Sequence, residues 1–166
     1  MKKVLALTLA LACLSGLHGL SLGVGAAYEG LTVSGVDPYL ALKVDARVPL
    51  SKMIDLRACV INVALPEGGK SVHLGTFTDS DILIKPDMSM PLKPYLALGL
   101  WFNLGLESDP LDYMNLGLKA ALGGEFEVGG FSAYIEAGLN KFTWIKDGGT
   151  SHPIYVQLGL TFPVNL

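Results

Sequence analysis

At 166 residues the chain is long enough for one domain and short of two. It is 51% hydrophobic and 16% charged with a mean hydropathy of +0.46, yet it holds no run of about 18 apolar residues outside its N-terminus, which excludes a helical membrane protein. Its 12 basic and 15 acidic side chains form no Lys/Arg run, which argues against nucleic acid as a partner.

Residues 1–19 read as a secretory signal. Lys2 and Lys3 form the positive start and Val4 to Leu14 the apolar run, with Leu17-His18-Gly19 as an imperfect exit. Ala10-Leu11-Ala12-Cys13 hints at a lipoprotein site, but Leu is absent three positions before the Cys. Removal of this segment leaves a net charge near −5 and one cysteine, Cys59, so no intrachain disulfide is expected. His18, His73 and His152 are scattered, and neither a metal site nor a cofactor is expected.

From residue 20 onward the dominant signal is a period of two, the mark of strands with one apolar and one polar or small face. The first strand, Leu20 to Tyr28, sets Leu22, Val24, Ala26 and Tyr28 against Ser21, Gly23, Gly25 and Ala27; a loop over Glu29–Asp37 follows. The second, Tyr39 to Val48, alternates Leu40, Leu42, Val44, Ala46 and Val48 with Tyr39, Ala41, Lys43, Asp45 and Arg47. After the short turn at Pro49–Lys52, the third places Ile54, Leu56, Ala58 and Val60 opposite Asp55, Arg57 and Cys59. Asn62 breaks the parity, so a bulge or the strand end is expected there.

The weakest section is Val72 to Met90, where Ile82-Leu83-Ile84-Lys85 must hold a fourth strand. The fifth, Tyr95 to Leu104, alternates fully: Leu96, Leu98, Leu100 and Phe102 against Tyr95, Ala97, Gly99 and Trp101. Its start, Pro94-Tyr95-Leu96-Ala97-Leu98, repeats Pro38-Tyr39-Leu40-Ala41-Leu42, either by hairpin duplication or by convergence. The sixth, about Tyr113 to Val128, sends Asn115, Lys119, Glu125 and Glu127 to the polar side and Phe126 and Val128 to the apolar one. Gly129-Gly130 predicts a two-residue hairpin turn. The seventh, Phe131 to Asn140, turns Phe131 and Ile135 one way and Tyr134, Glu136 and Asn140 the other, before a loop at Lys141–Ser151. The eighth sets Ile154, Val156, Leu158, Leu160 and Phe162 against Tyr155, Gln157, Gly159 and Thr161.

Eight such strands predict an all-β fold, a closed antiparallel up-and-down transmembrane β-barrel over 20–166. A strand in lipid must have every backbone group bonded, so the sheet must close. A Lys or Arg facing lipid at mid-depth costs about 2–4 kcal/mol, so the charged rows must point inward. The expected lumen network is Lys43, Asp45, Arg47, Asp55, Arg57, Lys119, Glu125, Glu127 and Glu136, and eight strands leave an interior that side chains fill. The lipid-facing set is Leu96, Leu98 and Leu100, with Tyr28, Phe102, Phe126, Phe131 and Phe162 as aromatic girdles near strand ends.

The strand that runs through Gln157-x-Gly159 to Phe162 resembles the C-terminal assembly signal of the small eight-stranded outer-membrane barrels, the class of the OmpA-type transmembrane domain. Here Pro163-Val164-Asn165-Leu166 follow, where that class usually stops at the aromatic residue. The resemblance implies a bacterial outer-membrane location, with outer-membrane lipid and the assembly machinery as partners and a monomeric state. It also implies short periplasmic turns and longer outer loops, with the connection near Pro86–Leu92 long for its side.

The leading functional expectation is a structural or surface-exposed barrel with a plugged lumen and no enzymatic activity. A narrow channel for small solutes is the alternative, if Gly23, Gly25, Ala97 and Gly99 leave a cavity. A lipid-modifying barrel enzyme would draw on His73 with Asp79-Ser80 in an outer loop. A soluble lipocalin-like barrel would invert the faces, and the chain has few charges with which to cover such an outside.

Overall fold

The computed structural model describes residues 19–31, 38–66, 73–75, 79–103, 114–146 and 148–164. They form ten strands: β1 (Ser21–Glu29), β2 (Tyr39–Pro49), β3 (Ile54–Pro66), β4 (His73–Gly75), β5 (Asp79–Ile84), β6 (Lys93–Asn103), β7 (Asn115–Val128), β8 (Phe131–Trp144), β9 (Thr150–Ser151) and β10 (Ile154–Pro163). Eight make one closed antiparallel ring in the order β10-β1-β2-β3-β5-β6-β7-β8, with β8 pairing back to β10. The pieces β4 and β9 only extend the ladder, on β3 and β8. Closure leaves no free edge, so backbone groups are bonded strand to strand all round. The predicted signal segment lies outside the described residues, apart from Gly19.

The start of β1 and the end of β10 meet at one end of the barrel. Ser21 pairs with Pro163 in the β1–β10 register, and Val164 N donates to Leu20 O at 2.9 Å. The same end carries the connections 50–53, 85–92 and 129–130, and the opposite end carries the four longer ones. At the tightest turn Val128 pairs with Phe131, and Gly129 takes a φ of +63°, the conformation a type II′ hairpin needs at its first central position.

Sheet parity sorts the side chains. Outward stand Leu22, Val24, Leu42, Leu56, Ile82, Leu98, Leu100, Leu118, Leu122, Ile135 and Leu158, all exposed. Inward stand Ala27, Ala41, Cys59, Leu83, Ala97, Ala121 and a set of aromatic, polar and charged residues, all buried. Such a continuous apolar belt is far beyond what a water-soluble surface carries.

Three details differ from the pattern-based expectation. The bulge sits at Val60: Val44 pairs with Ile61 and Asp45 with Cys59, so Val60 is the extra residue. Asn62 is thereby restored to the interior, 5% exposed, and Ile61 faces out. Glu29 is not in a loop but closes β1, fully buried. Strand β8 runs on to Trp144, and beyond Asn140 its outward residues, Lys141 and Thr143, are polar. The repeated pentapeptide starts β2 at the long-connection end but β6 at the short-turn end. A duplicated hairpin would keep its direction, so the repeat is convergence under one patterning rule.

Candidate functional site: the barrel interior

The interior is built by one row from each strand. Lys43, Asp45 and Arg47 come from β2, Arg57 from β3, Asp79 and Asp81 from β5, Lys119 from β7, Glu136 from β8 and Glu29 from β1, and each is at most 3% exposed. Four cations and five carboxylates therefore sit together away from water. Burial of an ion is tolerated only with a counter-ion and hydrogen bonds, and the ion pairs below supply these for most of the nine, while Asp45 is met by the Tyr134 hydroxyl.

At mid-barrel, Arg57 Nε donates to Asp81 Oδ2 at 2.9 Å, and Nη2 donates to the same oxygen. Arg57 Nη2 also reaches Glu136 Oε2 at 2.8 Å, which links β3 across the lumen to β8. Lys119 Nζ lies 3.1 Å from Asp81, 3.3 Å from Glu136 and 3.5 Å from Asp79. Two tyrosine hydroxyls complete the Glu136 shell, Tyr155 donating at 2.5 Å and Tyr95 at 3.0 Å.

Toward the long-connection end, Lys43 Nζ bridges Glu29 at 2.9 Å and Asp79 at 2.8 Å. Tyr39 donates to Glu29 at 2.8 Å. An aromatic layer lies alongside: Trp101 stacks on Phe142 at 5.8 Å, Phe142 meets Trp144 edge-on at 5.6 Å, and Trp101 Nε1 donates to Asn115. Lys43 stands 5.4 Å from the Trp101 ring centroid, within cation–π range.

Toward the short-turn end, Arg47 lies over the Tyr134 ring at 4.5 Å, and the Tyr134 hydroxyl donates to Asp45 at 3.2 Å. Gln157 donates to that hydroxyl at 2.8 Å. At the mouth, Lys85 holds Asp55 at 2.6 Å and Glu125 at 3.0 Å. The glycines of this half make room for large neighbours: a Cβ on Gly25 or Gly159 would meet the Tyr134 side chain at 2.6 Å.

The six residues Lys43, Asp45, Arg47, Arg57, Lys119 and Glu136 are thus fully inside, and Asp55 and Glu125 are half-buried at the rim. Glu127 does not belong with them. Its side chain is 70% exposed and pairs with Lys93 at 2.6 Å, because the β7–β8 hairpin projects past the mouth. Of the apolar set, Tyr28, Leu98, Leu100, Phe126 and Phe162 are exposed on the outer face, and Leu96, Phe102 and Phe131 are half-buried. Phe131 packs on Phe162 with ring centroids 5.7 Å apart. Gln157 points into the lumen and Phe162 away from it.

Glu29, Asp79 and Asp81, three of the five buried carboxylates, were not in the expected network. Parity would have found them: outward Tyr28 fixes Glu29 as inward, and outward Ile82 and Ile84 do the same for Asp81 and Leu83. Asp79 and Ser80 are consecutive on β5 and so point to opposite faces, which separates the acid and hydroxyl that a lipid-modifying site would need together. The side chain of His73 lies outside the described residues.

No family model matches the sequence, and no curated protein matches it. Solved structures match its fold. Neisserial surface protein A superposes with a TM-score of 0.64 and 16% identity, over 87% of this chain and 97% of that one. A chain from the de novo design of transmembrane β-barrels gives 0.51 at 16% identity, over 88% and 95%. The outer membrane protein OprG from Pseudomonas aeruginosa gives 0.50 at 11% identity, over 90% and 98%. At these identities the likeness is one of architecture: the chain has the fold of the small eight-stranded outer-membrane β-barrels.

Proposed function

We propose that the chain is an integral outer-membrane β-barrel whose lumen is sealed by its own side chains, and that its role is structural or surface-exposed. The observation that carries this reading is the radial inversion of chemistry, with leucine and isoleucine outside and nine buried charges inside. Facing lipid, the outer row gains burial and the inner row is shielded; in water both rows would be misplaced. In this reading residues 1–19 direct export, and the four long connections face outward while the short turns face the periplasm. Gln157, Gly159 and Phe162 present the β10 strand to the assembly machinery. The barrel acts as a monomer, since its ring needs no second chain for closure.

Sealing follows from crowding: Arg57 spans from Asp81 to Glu136, and Tyr95, Tyr155, Trp101 and Tyr134 fill the cross-section around it. The test is to fold the chain from Leu20 into lipid vesicles and run it unboiled and boiled on a denaturing gel, then measure planar-bilayer conductance. A heat-dependent mobility shift with no stable conductance supports the reading. Folding in plain buffer without amphiphile contradicts membrane residence, and steady ion conductance favours the narrow channel instead.

A further inference from the structure

Among the described strand residues the outward face carries a single charge, Lys141 on β8, and it is exposed. The other charged strand residues stand in the inner row or at the short-turn mouth. Lys141 lies ten residues along β8 from Phe131, which is about 33 Å of strand. At a tilt of about 40° that covers about 25 Å of membrane, the height of a complete apolar band. With the Phe131–Phe162 pair at one edge of the band, Lys141 marks the other, where a cation costs little and meets lipid headgroups. Among the described residues no carboxylate pairs with it.

On the membrane side of Lys141 the outer wall is grooved. One depression, of about 370 Å³, lies between Leu98, Leu118 and Leu139, with Lys141 at its border. A second, of about 450 Å³, lies between Leu122, Leu139 and Ile154. The two adjoin at Ala120 and Leu139, and the exposed Ala120 and Ala137 keep the floor low between leucine walls. From Lys141 to Ala137 the groove follows β8 for about 13 Å. Beyond Lys141 the same face offers hydroxyls: Thr143 Oγ1 lies 3.4 Å from Thr150 Oγ1, and the pair is exposed.

An apolar groove, an unpaired cation and a pair of hydroxyls thus follow one another along β8. An acyl chain, a phosphate and a sugar follow one another in the same order in a phosphorylated glycolipid. We infer that this strip of the outer wall is a site for one such lipid of the outer leaflet. Its acyl chain lies over Ala120 and Ala137, its phosphate meets Lys141, and a sugar hydroxyl meets Thr143 and Thr150. The inference rests on the membrane reading above and on the long connections facing outward. A phospholipid without a sugar satisfies the groove and the cation but leaves the threonines unused.

The experiment uses the chain from Leu20, folded in nonionic detergent and first checked for the heat-dependent mobility shift. Native mass spectrometry then measures binding of lipid A, of lipid A stripped of its phosphates, and of phosphatidylglycerol. The expected result is one saturable lipid A site, with weaker binding of the other two. Lys141→Gln weakens lipid A by about fivefold, the effect of one cation at a membrane surface. Ala120→Leu, which fills the groove, also weakens it, and Thr143→Val narrows the preference over phosphatidylglycerol. Lys52→Gln, in the exposed turn at the opposite end, leaves binding unchanged. Equal binding of lipid A and phosphatidylglycerol, or of lipid A by Lys141→Gln and the parent, overturns the assignment while a retained mobility shift leaves the membrane barrel standing. Absence of that shift in the parent defeats both.

Discussion

Replacement of Arg57 by Met tests whether the interior is a dry, interlocked network. Arg57 is 1% exposed and serves Asp81 and Glu136, themselves at most 1% exposed. At an effective dielectric of about 20, a unit pair at 2.8 Å attracts by about 6 kcal/mol, most of which desolvation cancels. Deletion of one partner is therefore worse than deletion of both. In Arg57→Met, Asp81 and Glu136 retain Lys119 at 3.1 and 3.3 Å as their shared cation, and the expected loss is about 3–5 kcal/mol. Adding Glu136→Gln removes one stranded charge and keeps one acceptor oxygen for a tyrosine hydroxyl, its NH2 donating to the hydroxyl of the other, so the double variant recovers part of the loss. The coupling should fall within about 0.5–3 kcal/mol. Denaturant unfolding from lipid vesicles, with an unchanged slope on denaturant, gives these differences. If Arg57→Met stays within about 0.5 kcal/mol of the parent and the double variant is additive, the charges are solvated by an open lumen and the reasoning fails.

Other outcomes follow from the same geometry. Leu98→Arg, on the outer face of β6, should lower stability in vesicles by about 2–4 kcal/mol, while the same change at Leu50 in the exposed 50–53 turn leaves it unaltered; equal effects would contradict a lipid belt. Cys59 is fully buried, its thiol donating to the Ile61 carbonyl at 3.2 Å, so a water-soluble thiol reagent should label it only after unfolding; prompt labelling of the folded barrel would point to a wet interior. Gly159→Val places a Cβ 2.5 Å from the Val24 carbonyl and 2.6 Å from the Tyr134 ring, and overpacking of this kind costs about 1–3 kcal/mol. Refolding yield and midpoint would measure it, and a neutral result would mean that Tyr134 swings clear.

The strands were legible in the sequence because lipid and lumen impose opposite chemistry on alternate residues, and β2, β6, β7 and β10 carry that alternation without a break. Legibility stops where one of the two constraints is lifted. Past Asn140 the outward residues Lys141 and Thr143 are polar while Phe142 is 3% exposed against Trp101, so the apolar-outside rule inverts and the strand reads as a loop. Along β5, the alternation of Ile82 and Ile84 carries Asp81 and Asp79 inward by parity, but in a strand of only six residues the pattern does not mark where the strand begins. The Val60 bulge flips parity within an apolar run, so only its consequence at Asn62 was visible. Which carboxylate meets which cation depends on the register of eight strands around the ring, and no local pattern encodes that.

The most direct test of the account is the solvent exposure of methyl groups in the unmodified protein, measured by NMR in lipid nanodiscs with two paramagnetic agents, one in the lipid and one in the water. The account predicts that Leu98, Leu100, Leu118 and Leu122 methyls broaden with the lipid-borne agent alone, and that Leu83, Ala97 and Ala121 methyls respond to neither. Broadening of the leucine set by the water-borne agent would contradict the membrane barrel, and broadening of Leu83 or Ala97 by it would contradict the sealed lumen.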